Sequence, residues 1–322
     1  MSVRNVSVKS KVLNAVLLLS ICLGLLVAVA QSGSGQSLPD AANRVASQGI
    51  PFGCAVQPEP HQGPAQSLPR PQVPISRFRQ VVASTPKPNA YSPKEVVALA
   101  DSTNYGQRFI KDALGKLAEH APIVVLHETV GSVSSAVNFF QTPHPYDDDQ
   151  VSYHTLVGLD GTVYYLVPPD KRAFGAGNSA FVGSAGEESV KTNPDLPASV
   201  NNFAYHISLE TPADGDNNNS SHSGYTSPQY QSLAWIVAKT SVPPERITYH
   251  KIVDRSGSRQ DPRSFNAQTF LQLLENYPKT SEIVIGCSMP LAAPAATEPA
   301  EPAPLSPVDR LLRRLPPPRS RQ

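Results

Sequence analysis

The sequence predicts an α/β fold: a single domain with a mixed central β-sheet flanked by helices. Three observations carry this. Ile123-Val124-Val125-Leu126 is an apolar run of buried-strand length, with a helical pattern directly after it. Asp160-Gly161 separates two β-rich runs, a strong hairpin signal. Phe203 to Leu209 is a second long apolar strand, followed after a polar loop by a well-capped helix. Strand and helix signals alternate in this way throughout the middle of the chain, the pattern of α/β domains.

Taken in order, Gly131-Ser132 breaks the first strand, and Val133, Ala136, Val137 and Phe140 follow at helical spacing. Ser152 to Leu159 and Thr162 to Val167 are the two arms of the hairpin. Thr226-Ser227-Pro228 opens a helix, with a capping hydroxyl and a proline in its first turn. Tyr230, Leu233, Ala234 and Val237 form its apolar face, and Pro243-Pro244 stops it. Ile247-Thr248-Tyr249 is a short strand, and Phe265 to Tyr277 a final helix with Phe270, Leu271 and Leu274 inward. No internal repeat is visible.

Proline marks the ends of this block. Of 33 prolines, 11 lie in residues 31–95 and nine in 288–322. Residues 1–30 have a basic start at Arg4, Lys9 and Lys11, an apolar run from Val12 to Ala30, and Ala28-Val29-Ala30 before a polar stretch. That organisation is expected of a secretory signal peptide. An uncleaved membrane anchor is the alternative, because the run is near the ~20 residues that span a bilayer. Cleavage would leave an exported protein in the periplasm or cell wall. Residues 31–77 are expected to be linker, 78–285 the folded domain, and 286–322 a Pro/Ala/Arg-rich tail that cannot bury a core. Cys54 and Cys287 flank the domain, and a bridge between them or two free thiols are both open.

The 27 basic and 26 acidic residues nearly cancel. The basic excess usual in nucleic-acid binders is missing, so no nucleic-acid partner is expected. Chemistry is sought among the histidines, all eight of which lie after residue 30. His127 ends the most apolar strand and His250 ends another. Asp261 follows His250 after the loop containing Ser256-Gly257-Ser258-Arg259-Gln260. Two histidines and a carboxylate with an open fourth position match a catalytic zinc set. A histidine at a strand end is as readily a hydrogen-bonded structural residue, and spacing alone does not bring these three together.

Ile123 to Thr129, Val151 to Val157 with Asp160 to Tyr164, Ala204 to Glu210, and Thr248 to His250 with Arg259 to Pro262 occur in an order that resembles the type 2 N-acetylmuramoyl-L-alanine amidases. This family includes phage lysozymes and peptidoglycan recognition proteins. The likeness covers about residues 120–277. Ala173 to Asn178, Asn201 to Thr211 and His222 to Thr226 look closest to cyanobacterial members. The resemblance implies that His127, His250 and Asp261 ligate Zn²⁺ and that Glu210 is the catalytic acid/base. It also implies that Arg259, where many members have lysine, steadies the oxyanion, and that Tyr153 stands at a position where phage enzymes place a catalytic tyrosine. Packing is an equal reading of Tyr153.

The implied reaction is hydrolysis of the amide between the lactyl group of N-acetylmuramic acid and L-alanine of peptidoglycan. A non-catalytic peptidoglycan-binding module and an exported zinc peptidase acting on stem peptides are the competing readings. Peptidoglycan or muropeptides are the expected partners of a monomer, with membrane contact only if the N-terminal segment is uncleaved. Phe174-Gly175-Ala176-Gly177 departs from the common Trp-His-Ala-Gly, so a histidine that often lines the substrate groove is replaced by Gly175. His154 is expected on the opposite strand face from Tyr153, and His222, in a polar loop, is the candidate for a spare ligand.

Overall fold

The computed structural model describes residues 54–59, 63–80, 91–184 and 186–286. The elements, in chain order, begin with β1 (Cys54–Ala55), β2 (Glu95–Val97), β3 (Tyr105–Phe109), β4 (Ile123–Glu128) and α1 (Val133–Gln141). Next come β5 (Thr155–Val157), β6 (Val163–Tyr165), β7 (Lys171–Ala173), β8 (Phe181–Gly183), β9 (Gly186–Glu188) and β10 (Ala204–Leu209). Then follow α2 (Ser227–Ala238), β11 (Ile247–Tyr249), α3 (His250–Val253) and α4 (Ala267–Glu275).

The main sheet has six strands in the order β11-β4-β10-β5-β6-β2. It is mixed: β11, β4, β10 and β5 run parallel in succession, β5 and β6 are antiparallel, and β6 and β2 are parallel. β1, β3 and β7 form a three-stranded sheet, and β8 pairs with β9. The fold class is therefore α/β with a mixed central sheet and helices against it. Among the described residues no helix is long and apolar enough to cross a membrane.

Strand alternation divides the core. Val124 and Leu126 of β4 and Tyr205, Ile207 and Leu209 of β10 face α2 and α4, where Leu233, Ile236, Phe270 and Leu274 cover them. Ile123 and Val125 of β4 and Ala204 of β10 face the other way, into a second cluster with Phe181, Val200 and Val253. All six residues of β4 are buried, as are all six of β10. That is the burial expected of parallel strands covered on both faces. His127, His206 and Ser208 share the second face by alternation.

Local chemistry explains the element ends. The Ser132 hydroxyl accepts from Ser135 N–H and caps α1. Thr226 and Gln229 form a reciprocal capping box at α2. The hairpin turn needs Gly161, whose φ is +82° and whose added Cβ would lie 2.9 Å from the Pro228 carbonyl oxygen.

The segment expected as linker is partly built into the fold. Cys54 and Ala55 pair with Arg108 and Phe109. Ser67 Oγ donates to Asp101 at 2.7 Å, and Arg77 clasps Asp170 at 2.5 and 2.8 Å. Polar clasps and a two-residue strand leave no periodicity to read in sequence. Cys54 is disulfide-bonded. Cys287, the expected signal peptide and the expected tail from residue 287 onward lie outside the described residues.

Candidate metal centre

Two strand ends and a loop make the site. β4 delivers His127, and β11 lies beside it in parallel register, Tyr249 opposite Leu126. His250 therefore emerges next to His127 as the strand turns into α3. The following loop returns to the same place: Lys251 N–H donates to the Asp261 carbonyl at 3.0 Å. One donor atom from each of His127, His250 and Asp261 lies within 4.8 Å of the other two.

The electrostatics suit a cation. Nδ1 of His127 is 3.3 Å from Asp261 Oδ2, and Nδ1 of His250 is 3.1 Å from the same carboxylate. His127 Nδ1 is buried and has no hydrogen-bond partner among the described residues. Burial lowers the His127 pKa to about 4, so the ring is neutral and able to ligate at neutral pH. Burial alone would raise the Asp261 pKa, but the neighbouring His127 and His250 rings hold it well below the carboxylate range. Two imidazoles and a carboxylate around a buried ring nitrogen fit a zinc-type ion.

The centre opens into a cavity of ≈ 880 Å³, whose wall includes Glu128, Tyr153, Arg172, Asn178, His250, Arg259 and Asp261. Tyr153 is half-buried, and its ring stacks on His127 with centroids 4.4 Å apart. Burial raises its phenol pKa, so it remains protonated. Arg259 is held by its loop. The carboxylate of Asp254 accepts from the backbone N–H groups of Ser256, Ser258 and Arg259 at 3.0 to 3.2 Å. Asp254 is thus a positioning residue that motif reading missed, although an aspartate before a Ser/Gly run is a known loop-organising signal.

Glu210 is not brought to this centre. Its carboxylate accepts from Val133 N–H at 2.9 Å and from Leu159 N–H at 2.8 Å. It lines a different depression, with Val96, Val133, Val137, Leu159 and Tyr164. The residue of β10 in register with His127 is Ser208, whose hydroxyl is buried without a hydrogen-bond partner among the described residues. The acid/base role expected of Glu210 therefore has no geometric support, because its negative charge is spent at the N-terminus of α1 and on the β5–β6 turn.

His222 is likewise no spare ligand. Its Nε2 donates to Glu128 Oε2 at 3.1 Å, and its Nδ1 accepts from Gly224 N–H at 3.0 Å. Glu128 also accepts from Tyr225 OH at 2.8 Å and from Arg263 through both Nε and backbone N–H. Arg263 donates in turn to the carbonyls of Gly215, Asn217 and Asn219, which ties the polar loop to β4. His154 does lie away from Tyr153: its Nδ1 accepts from His206 N–H, and its Nε2 meets Lys171 O and the buried Arg108.

Residues 118–264 match the family model for N-acetylmuramoyl-L-alanine amidase. The matched segment holds His127, His250 and Asp261. No curated protein matches the chain in sequence. Solved structures similar to it include AmpD of Citrobacter freundii, 21% identical over 57% of this chain and 92% of that one, with a TM-score of 0.34. An amidase endolysin from Clostridium intestinale is 18% identical over 58% and 96%, with a TM-score of 0.33. Peptidoglycan recognition protein SD of Drosophila is 13% identical over 51% and 85%, with a TM-score of 0.29.

Proposed function

We propose that this domain is a zinc-dependent N-acetylmuramoyl-L-alanine amidase, cutting between the lactyl group of muramic acid and L-alanine in peptidoglycan or muropeptides. The observation that carries the reading is the convergence of His127, His250 and Asp261, the last two on the wall of a cavity, in a segment that matches an amidase family model. His127, His250 and Asp261 would hold the ion. When bound, zinc polarises an amide carbonyl and lowers the pKa of a water toward ~7.

The chain's own residues do the rest. Arg259, on the cavity wall, offers a fixed cation to the oxygen that becomes negative as the amide is attacked. Being arginine, it serves by charge and hydrogen bonding rather than by giving up a proton. Tyr153 stacks on His127 and steadies the plane of a ligand ring. Arg172, Thr192, Asn178 and Asn193 line the outer cavity and suit a polar glycopeptide. With residues 1–30 as a signal peptide, the domain would work as a monomer in the periplasm or cell wall.

The test is digestion of purified muropeptides by the full chain, with zinc content measured on the same preparation. Free stem peptides with an N-terminal L-alanine and unsubstituted lactyl sugars support the amidase. Shortened stems still attached to sugar would identify a peptidase, and binding without release a recognition module.

A further inference from the structure

We infer that His206 is a positioning residue for the metal centre: it receives the outer ring proton of His127 and so presents His127 Nδ1 to the ion. This rests on the zinc reading above and deepens it. Nε2 of His127 and Nδ1 of His206 are 2.9 Å apart, with both rings buried. His127 Nδ1 points the other way, to Asp261. A neutral imidazole carries one ring proton, so ligation through Nδ1 requires that proton on Nε2. His206 Nδ1 stands in position to accept it, which places the His206 proton on its buried Nε2. Ligating histidines generally donate their second nitrogen to a carboxylate, carbonyl or water. Here a neutral imidazole takes that place, which orients the ligand without adding charge.

Two further features show that the position is built. First, His206 is held from behind. Its N–H donates to His154 Nδ1 and its carbonyl accepts from His154 N–H, both at 3.0 Å. Its ring lies nearly parallel to that of His154, 13° off with centroids 5.7 Å apart. Second, Gly175 makes room for it. A Cβ at residue 175 would stand 2.6 Å from both Cγ and Nδ1 of His206, closer than real atoms approach. The departure from Trp-His-Ala-Gly at residues 174–177 and the histidine at 206 are therefore one feature. The glycine admits an imidazole from β10 to the edge of His127.

Zinc affinity of the full chain, measured by competition with a chromophoric chelator, tests the inference. His206→Leu should weaken zinc about 10- to 100-fold, the usual cost of removing such a partner. His206→Asn should stay within about 3-fold of the unaltered chain, because its amide oxygen stands at the same bond count from Cα as Nδ1 and still accepts. Gly175→Ala, which must displace the His206 ring, should move affinity in the direction of His206→Leu. In the unaltered zinc-loaded protein, ¹⁵N spectra should show a coupling across the hydrogen bond from His127 Nε2 to His206 Nδ1. That measurement holds even if a variant fails to fold. A protonated His206 Nδ1, or a His206→Leu protein that folds and binds zinc like the unaltered chain, would overturn the inference and leave the amidase reading standing. An unaltered chain that takes up no zinc would bring down both.

Discussion

Glu210→Gln separates two accounts of that residue. In the structure, Glu210 joins the N-terminus of α1 to the β5–β6 turn through Val133 N–H and Leu159 N–H. Hydrogen bonds to a charged acceptor contribute about 1.5–3 kcal/mol each. Glutamine keeps one acceptor oxygen, so one of the two bonds is lost and the other becomes neutral. Removing negative charge from a helix N-terminus costs a further ~0.3–1 kcal/mol. Glu210 is half-buried and water recovers part of this, so the expected loss is about 2 kcal/mol. For a domain of this size that lowers Tm by roughly 4–8 °C. Activity on soluble muropeptides at 20 °C, well below the transition, should fall less than ~10-fold. The assay is a thermal melt and a rate measurement on one preparation. An unchanged Tm with a loss of ~10²–10⁴ in rate, the scale of general acid–base catalysis, would refute the structural account and restore Glu210 to the chemistry.

His127→Ala should lose bound zinc and activity together, as read by metal analysis and muropeptide release. A variant that keeps stoichiometric metal would remove His127 from the ligand set. Asp254→Ala should lower the rate by roughly 10-fold with an unchanged circular dichroism spectrum, because the loop carrying Arg259 and Asp261 loses three backbone anchors. An unaltered rate would show that the loop holds itself. In the metal-stripped chain, the folded His127 pKa of about 4 lies below the ~6.5 of the unfolded chain. The unfolded state then binds its proton first as pH falls, so this ring's contribution is full above ~6.5 and shrinks toward 4. Between pH 7.5 and 5, before carboxylates titrate, urea unfolding should report about 2 kcal/mol less stability from His127. Buried His154 and His206, also depressed by burial, act in the same direction. A flat stability profile over that range would contradict the burial of these rings.

Much of the fold was legible because its longest elements are also its most regular. Ile123-Val124-Val125-Leu126, the Asp160-Gly161 turn and the Thr226 cap each carry a local signal strong enough to stand alone, and each element formed where expected. β1, β2, β3, β7, β8 and β9 were not foreseen. They are two to five residues long, and apart from the β8–β9 pair their place depends on partners remote in sequence. Arg108 is the extreme case. A charged residue in mid-chain reads as surface, yet it is wholly buried and donates to the carbonyls of Pro169, Asn201, Asn202 and Ala204.

The site shows the same division, and strand register explains it. Sequence identifies which residues end strands, and the ordered resemblance to an amidase family singles out His127, His250 and Asp261 among the candidates. It does not state which residue of one strand lies beside which of the next. β10 pairs with β4 so that Ser208 sits opposite His127 and Leu209 opposite Glu128. Glu210 is then one step past the paired strand, where it is free to turn to Val133 and Leu159. His206, two residues before Ser208 on the same face, reaches the edge of the His127 ring instead. A shift of one residue would have exchanged the faces of the whole strand, and no residue type in Ala204 to Glu210 announces its own register. The three ligands stand at two strand ends and in the loop that returns to them. The residues that support the ligands are a property of pairing, and they became visible only when β4 and β10 were laid side by side.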